Sequence, residues 1–402
     1  MRVDSVDFFY ASMPEVTLEA DGSQDALLVR VTGDDGSFGW GECEASPLTS
    51  IAAFMTPRSH GVCQPISASV IGQQVKNPAD ILALSRLVAR NSMDLLQAAH
   101  TWSGIEIALW DLLGRKLEEP IWKLLGYKKS FAKVPYASML MGDTPQSTFE
   151  RARDARAKGF RAVKFGWGNY GTADVKDDAD HVAAAREGLG RDAELLIDAG
   201  QIWGDNVALA IERIPALQKA GATWLEEPFF AHAFKAYSEL AKVSGDVGLA
   251  GGEGAHTEHM AMNLIDFGSV KFIQVDAARI GPSQVVAEHA VRNDVTFVNH
   301  TFTSHLALSA SMQAFVGLEN HKICEYPVEP KSVAWDLSVE HIAINSDGEI
   351  FAPDSPGLGI QVDEEALRPY LRHVEITIDG QLAYESTAPD APTKIRVAHS
   401  KV

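Results

Sequence analysis

The sequence predicts an α/β protein, a parallel barrel of the TIM type joined to an α+β cap. Three observations predict it. Between about residues 134 and 327, eight short apolar runs alternate with amphipathic stretches rich in Ala, Leu, Glu, Lys and Arg. The interval is roughly 25–35 residues, close to the ~30 of one βα unit of an eight-stranded barrel. The apolar runs end in charged residues, which is where a barrel places its active site.

The runs are VPYASM (134–139), AVKFG (162–166), ELLIDAG (194–200), TWLEEP (223–228), GLAGGE (248–253), KFIQVDA (271–277), TFVNHT (296–301) and KICEYP (322–327). Between them lie helical patterns such as NVALAIERIPALQKA and PSQVVAEHAVRN. Near-continuous apolar strands alternating with helices mean a parallel sheet covered on both faces. An open doubly wound sheet gives the same alternation, but no GxGxxG or GxxxxGK[ST] follows any strand, and eight consecutive units suit closure. The flanks differ. ALLVRVTGDDGSFGWGECEA alternates like strands around a DDG turn. TWSGIEIALWDLLGRKL then places Ile105, Ala108, Leu109 and Leu112 on one helical face. Residues 46–66, rich in Pro, Ser, Thr and Gly, read as a long exposed loop. After SPGLG the tail returns to strand-like alternation in HVEITIDGQLAYES, expected to dock on the cap. The expected division is 1–126 for the cap, 127–354 for the barrel and 355–402 for the returning segment.

Composition sets outer limits. The 402 residues are 46% hydrophobic and 22% charged, as in globular enzymes. A net charge of −19 argues against nucleic acid and anionic membranes as partners. It does not exclude a small anionic substrate, because a bound cation and one lysine reverse the sign locally. No run approaches the ~20 apolar residues of a membrane span, and no secretory signal opens the chain, so a cytoplasmic location is expected. Cys43, Cys63 and Cys324 lack CxxC spacing and read as reduced thiols.

The strand ends carry Lys164, Asp198, Glu226 or Glu227, Glu253, Asp276, His300 and Glu325. Charged side chains are rarely buried unless paired or bound to metal. Singly, each acid could cap a helix or pair with an arginine. Three in succession would repel one another, and a hard divalent ion with oxygen ligands, Mg²⁺ or Mn²⁺, removes that cost. Either Glu226 or Glu227, but not both, shares a strand face with Trp224. Asp276 precedes His300 by one strand and can orient its ring. A metal beside an oriented base is the equipment for removing a proton α to a carboxylate. Glu325 is a candidate neutral acid or the partner of a basic neighbour. Lys164 either binds the substrate carboxylate or pairs with the metal-site acids. His60, His232, His256 and His305 read as loop, helix or supporting residues.

WGECEASP, ALWDLLGRKLEEPIWKLLG, GFRAVKFG, LLIDAG, WLEEP, GGEG, the Asp276 and His300 strands, EYP and SPGLGI occur in that order. On these stretches, and over nearly its full length, the chain resembles the mandelate racemase subgroup of the enolase superfamily. The resemblance implies a modified (β/α)7β barrel whose eighth strand deviates, with a cap built from both chain ends. It implies that Asp198, Glu226 and Glu253 bind metal and that Glu227 does not. It also implies a His300–Asp276 dyad, with Glu325 beside the substrate carboxylate. The muconate cycloisomerase and dipeptide epimerase subgroup would carry lysine at the Asp276 position. Homo-oligomers are common in the family, and its cap loops select the distal end of the substrate, for which 9–24 and 46–66 are the candidates here; Tyr10, Arg58 and His60 could meet hydroxyls or a second carboxylate there but read rather as solvent-facing. One departure stands out. The family's racemases read Lys-x-Lys on the second strand, and the second lysine's position is Gly166 here. With one base, dehydration of an acid sugar to a 2-keto-3-deoxy acid is the expected reaction. Racemisation and non-catalytic binding of acid sugars or metal are the alternatives.

Overall fold

The computed structural model describes residues 1–44, 46–278, 283–386, 388–390 and 394–395. Strands β1 (Val3–Ser12), β2 (Asp25–Gly33) and β3 (Phe38–Cys43) form an antiparallel sheet in that order. The helix Ala98–Leu117 presses backbone to backbone on β3. A β-carbon at Gly41 would stand 2.2 Å from the Gly104 carbonyl oxygen, and one at Gly39 would stand 2.3 Å from the Leu112 nitrogen. Only glycine permits that approach. From the same helix, Asp111 accepts the Trp40 amide at 2.9 Å and the Leu358 amide at 2.8 Å. It thereby ties the first sheet to the segment that returns after the barrel.

The barrel strands are β4 (Val134–Leu140), β5 (Ala162–Gly166), β6 (Glu194–Asp198), β7 (Ala222–Glu226), β8 (Gly248–Gly251), β9 (Phe272–Asp276), β10 (Thr296–His300) and β11 (Ile323–Pro327). All seven ladders are parallel, in the order β10-β9-β8-β7-β6-β5-β4-β11. The eight-stranded, nearly closed barrel is therefore present. Its seam lies between β10 and β11, where a side chain replaces the ladder. Asn299 accepts the Glu325 amide through Oδ1 at 2.8 Å and donates through Nδ2 to the Glu325 carbonyl at 3.3 Å.

Every strand contributes one residue to an apolar layer inside the barrel: Tyr136, Ala162, Leu196, Trp224, Ala250 and Val298, with Phe272 and Ile323 packed against them. Side chains alternate along a strand. Two residues further on, the same face carries Ser138, Lys164, Asp198, Glu226, Gln274, His300 and Glu325. The polar layer therefore rests directly on an apolar plug that excludes water from below.

The tail forms β12 (Val374–Ile378), β13 (Gln381–Ser386) and β14 (Lys394–Ile395). β12 and β13 are joined through Asp379 and Gly380, both at positive φ, the two-residue turn that Asp-Gly favours. Tyr384 and Ser386 donate hydroxyls to the Phe8 carbonyl at 3.1 and 2.5 Å, so the tail does dock on the first sheet. One expectation needs correction. Residues 46–66 are not wholly an exposed loop, because Pro47–Met55 is a helix that buries Ile51, Phe54 and Met55. Proline at the first turn and apolar residues three and four apart outweigh the loop-like composition. Among the described residues no helix is long and apolar enough to cross a membrane. Cys43 and Cys324 are buried free thiols, and Cys63 is a half-buried one.

A buried acid in the cap gives a stability prediction. Glu106 is enclosed beside Trp110, whose Nε1 donates to it at 3.1 Å. Burial pushes its carboxyl from 4.5 up to about 7. Its folded pKa lies above its unfolded one, so its stabilising contribution is full below pH 4.5 and is lost as pH rises through about 7. At pH 8 Glu106→Gln should be more stable than the parent by on the order of 3 kcal/mol. The gain should vanish near pH 4. Urea melts at the two pH values check this, and a gain independent of pH would contradict it.

Candidate active site

Four of the sequence-singled residues are the last residues of their strands: Asp198, Glu226, Asp276 and His300. Lys164 and Glu325 instead occupy the middle of β5 and β11 and stand deeper in the barrel. Glu253 is not on a strand, because β8 ends at Gly251 and the residue lies two positions beyond it. All seven are buried.

The geometry separates the two consecutive glutamates. Glu226 shares the inner face with Trp224, whose Nε1 donates to Glu226 Oε2 at 3.0 Å. Glu227 points the other way and accepts the Gly252 and Gly254 amides at 3.2 and 2.9 Å. Asp198, Glu226 and Glu253 each offer an oxygen within 4.8 Å of the others. Lys164 occupies their flank, with Nζ 2.6 Å from Glu226 Oε1, 3.0 Å from Glu325 Oε1 and 3.4 Å from Asp198 Oδ2. The pairing of this lysine with the metal-site acids is thus the arrangement present.

Electrostatics follow from burial. Desolvation raises the Asp198 carboxyl to about 6 against the pull of Lys164, and drives Glu226 well above the usual range. Burial alone would lower Lys164, but Glu226 and Glu325 outweigh it and hold the ammonium charged. Three hard oxygen donors, buried close together and needing positive charge, suit a divalent cation such as Mg²⁺ or Mn²⁺. The residues present fit one.

Glu325 lies between His300 and Lys164, with one carboxylate oxygen near each. The Nδ1 of His300 is 3.0 Å from Asp276 Oδ2, and its Nε2 is 2.9 Å from Glu253 Oε2 and 3.7 Å from Glu325 Oε2. Asp276 is itself oriented by the Ala278 amide at 2.7 Å. These carboxylates outweigh the effect of burial and hold the imidazole well above its ordinary value. Glu325 accepts the Thr301 amide at 2.8 Å.

A cavity of about 310 Å³ opens over this layer. It is lined by Lys164, Asp198, Glu253 and His300 together with Asp21, Glu44, Trp167 and Phe302, and Glu44 offers an oxygen within 4.8 Å of ligand atoms of Asp276 and His300. Of the cap loops, residues 20–22 reach the cavity but 46–66 do not line it. Tyr10 and Arg58 do not line it either, and His60 instead pairs with Asp94 at the surface at 2.9 Å. Among the other histidines, His232 stacks on Phe230, His256 meets His100 at 3.0 Å, and His305 accepts the Ile342 amide in the core. Asp21, Glu44, Trp167 and Phe302 were not singled out from sequence. Glu44 lies in the WGECE stretch, but nothing local to that stretch says that it lines the mouth of a barrel.

The family profile "Enolase C-terminal domain-like" matches residues 148–366. The chain belongs to the enolase superfamily. Residues 11–126 match the profile "Mandelate racemase / muconate lactonizing enzyme, N-terminal domain", which places the superfamily member in that subgroup. A crystal structure of a predicted mandelate racemase from Rhodobacter sphaeroides is 58% identical with a TM-score of 0.91, covering 96% of this chain and 99% of that one. D-galactarolactone cycloisomerase of Agrobacterium fabrum is 29% identical over 86% of this chain and 90% of its own length. D-galactonate dehydratase of Xanthomonas euvesicatoria is 28% identical over 85% and 90%. This superfamily enzyme therefore performs metal-dependent abstraction of a proton α to a carboxylate, with a buried acidic triad for the metal.

Proposed function

We propose that the enzyme eliminates water from a sugar acid, an aldonate, to give a 2-keto-3-deoxy acid, with Mg²⁺ held by Asp198, Glu226 and Glu253. One observation carries the choice of elimination. The cavity has one oriented base, the His300–Asp276 dyad, and Gly166, which matches the racemases' second lysine, has no side chain to supply another. A β-carbon at Gly166 would stand 2.5 Å from Asp198 Cβ. Lys164 is the only lysine among the described lining residues. A racemase needs an acceptor on each face of the α-carbon, whereas elimination needs one.

When bound, the divalent ion supplies positive charge that stabilises the enediolate of the substrate. Lys164 adds a fixed ammonium on the same side, beside the substrate carboxylate. Asp276 holds Nδ1–H, and a cation on Glu253 would take away one of the carboxylates that keep the ring charged, so that Nε2 would present a lone pair. His300 Nε2 takes the proton from the α-carbon. The C–H electron pair then becomes the new C–C double bond as the β-hydroxyl departs. His300 returns the proton to that oxygen, and water leaves. As a neutral acid, Glu325, anchored by the Thr301 amide, donates a hydrogen bond to the oxyanion that develops at the carboxylate end. The apolar plug below keeps water from the reacting carbon.

The relative named D-galactonate dehydratase supports an aldonate. Of the acids that line the cavity, Glu44 lies against the dyad, with an oxygen within 4.8 Å of ligand atoms of Asp276 and His300, and Asp21 is paired with Lys331 at 3.5 Å. A second reading is ring opening, supported by the relative named D-galactarolactone cycloisomerase. It is the same single-base elimination with the leaving oxygen tethered in the substrate.

Incubating the Mg²⁺-loaded enzyme in deuterium oxide with aldonates, aldarates, lactones and anhydro sugar acids separates these outcomes. Keto-acid formation from open aldonates is expected. Deuterium at the α-carbon with inverted configuration and no keto acid would overturn the proposal. Gly166 offers an independent check. Gly166→Lys should not confer racemase activity and should weaken metal binding, because its β-carbon displaces Asp198. A variant that racemises with intact metal affinity would count against the one-base account.

A further inference from the structure

We propose that Glu227 is a positioning residue for the metal centre, its carboxylate lashing the chain just beyond Asp198 to the loop after β8 that carries Glu253, behind Glu226. This rests on the metal-centre reading above. Glu227 is fully buried on the face opposite Glu226. Its Oε1 accepts the Gly252 amide at 3.2 Å and the Gly254 amide at 2.9 Å, the two amides that bracket Glu253. Its Oε2 accepts the side-chain amide of Gln201, just beyond Asp198. The main chain repeats the pattern. Glu227 N–H donates to the Ala250 carbonyl at 3.0 Å, and its own carbonyl accepts the Gln201 N–H at 2.6 Å.

The clamp is needed because of where Glu253 lies. Asp198 and Glu226 are held by ladder hydrogen bonds to neighbouring strands, but Glu253 has left β8 and sits in Gly-Gly-Glu-Gly. Glycines on both sides leave such a segment many conformations. A carboxylate placed by it would wander unless its flanking amides were fixed from outside. Glu227 fixes them. The same glycines allow the approach. A β-carbon at Gly254 would lie 2.1 Å from Gln201 Nε2 and 3.2 Å from Glu227 Oε1, and one at Gly252 would lie 2.5 Å from the Gln274 carbonyl. Glu227 itself adopts φ +38°, a strained value for a residue with a side chain, which its surrounding hydrogen bonds maintain. Two adjacent glutamates therefore divide the work: one faces the cation, and the other holds the neighbouring ligand in register from behind.

The test is Mn²⁺ affinity, read by electron paramagnetic resonance on the full chain, with circular dichroism to confirm folding. Glu227→Ala removes all three acceptor contacts and should weaken Mn²⁺ binding by about 10–100-fold, the range for partners that orient metal ligands. Glu227→Gln keeps an oxygen for the glycine amides, and the Gln201 amide can rotate to accept its NH₂, so it should recover most of that loss. Should Glu227→Ala not fold, Gln201→Ala removes one arm and should give a smaller loss in the same direction. A folded variant of either kind that binds Mn²⁺ as tightly as the parent overturns the proposal. Glu226→Gln separates the two readings. If Mn²⁺ affinity survives that change, the metal-centre assignment fails and this proposal with it. If affinity is lost, the centre stands and the Glu227 result alone decides.

Discussion

Replacing His300 by asparagine is expected to lower turnover by about 10²–10⁴-fold, the usual contribution of a positioned base. Asparagine keeps an N–H near the ring Nδ1, so the hydrogen bond to Asp276, 3.0 Å long in the parent, has a donor in the variant. What disappears is Nε2, the atom proposed to take the α-proton. Metal affinity should be nearly unchanged, because Asp198, Glu226 and Glu253 remain. The separation is the diagnostic feature, since a merely structural defect would depress both. Solvent deuterium exchange at the α-carbon should cease in parallel with product formation. Unchanged exchange in the folded variant would assign the base elsewhere.

Lys164→Met should have its largest effect on the metal-free protein. Its ammonium is the cation nearest to Glu226, Glu325 and Asp198, at 2.6, 3.0 and 3.4 Å, with all four groups buried. Methionine preserves the aliphatic stem and leaves the acids without that charge. Breaking a buried ion pair from one side costs about 3–5 kcal/mol, because the remaining charge is neither hydrated nor paired. With chelator present, the variant should therefore melt well below the parent. Divalent metal should narrow the gap by restoring positive charge to the same acids, and binding at a hundredfold excess over Kd contributes about 2.7 kcal/mol. Thermal melts in chelator and in Mg²⁺ give the comparison. Equal melting temperatures in chelator would mean that the lysine does not balance these acids.

The two variants probe one cavity, which Lys164 and His300 both line, and together they test why charges are buried there. A lysine among carboxylates is a weak source of stability compared with apolar packing. Its retention above a plug made of Trp224, Tyr136 and their neighbours is explained by chemistry. The expectation that a metal centre and an oriented base share the barrel mouth thus acquires separate thermodynamic and kinetic tests.

Much of this arrangement was legible before any coordinates. The βα repeat gave the barrel, since parallel strands covered by helices must be apolar and evenly spaced. Asp198, Asp276 and His300 were legible because a rim residue at a strand end projects toward the site; alternation allowed only one of Glu226 and Glu227 to do so, and the family resemblance pointed to Glu226. Glu253 was readable as a candidate, but its departure from β8 was not, because GLAGGE continues the apolar run without a break. The helix at Pro47–Met55 was masked by a composition typical of loops, although Ile51, Phe54 and Met55 already had helical spacing.

What the sequence determined by itself was periodicity and chemistry: which segments pair in parallel, which face each residue takes, and which acids stand where strands stop. These follow from local geometry, with its fixed repeat of two along a strand. The tertiary structure alone decided the rest. Asn299 closes the seam by bonding to Glu325, Asp21 and Glu44 line the cavity from a distant part of the chain, and Glu227 grips the loop of Glu253. Each of these joins groups many residues apart. No short-range pattern encodes such a meeting, because it exists only once the barrel has curved and the cap has settled on it.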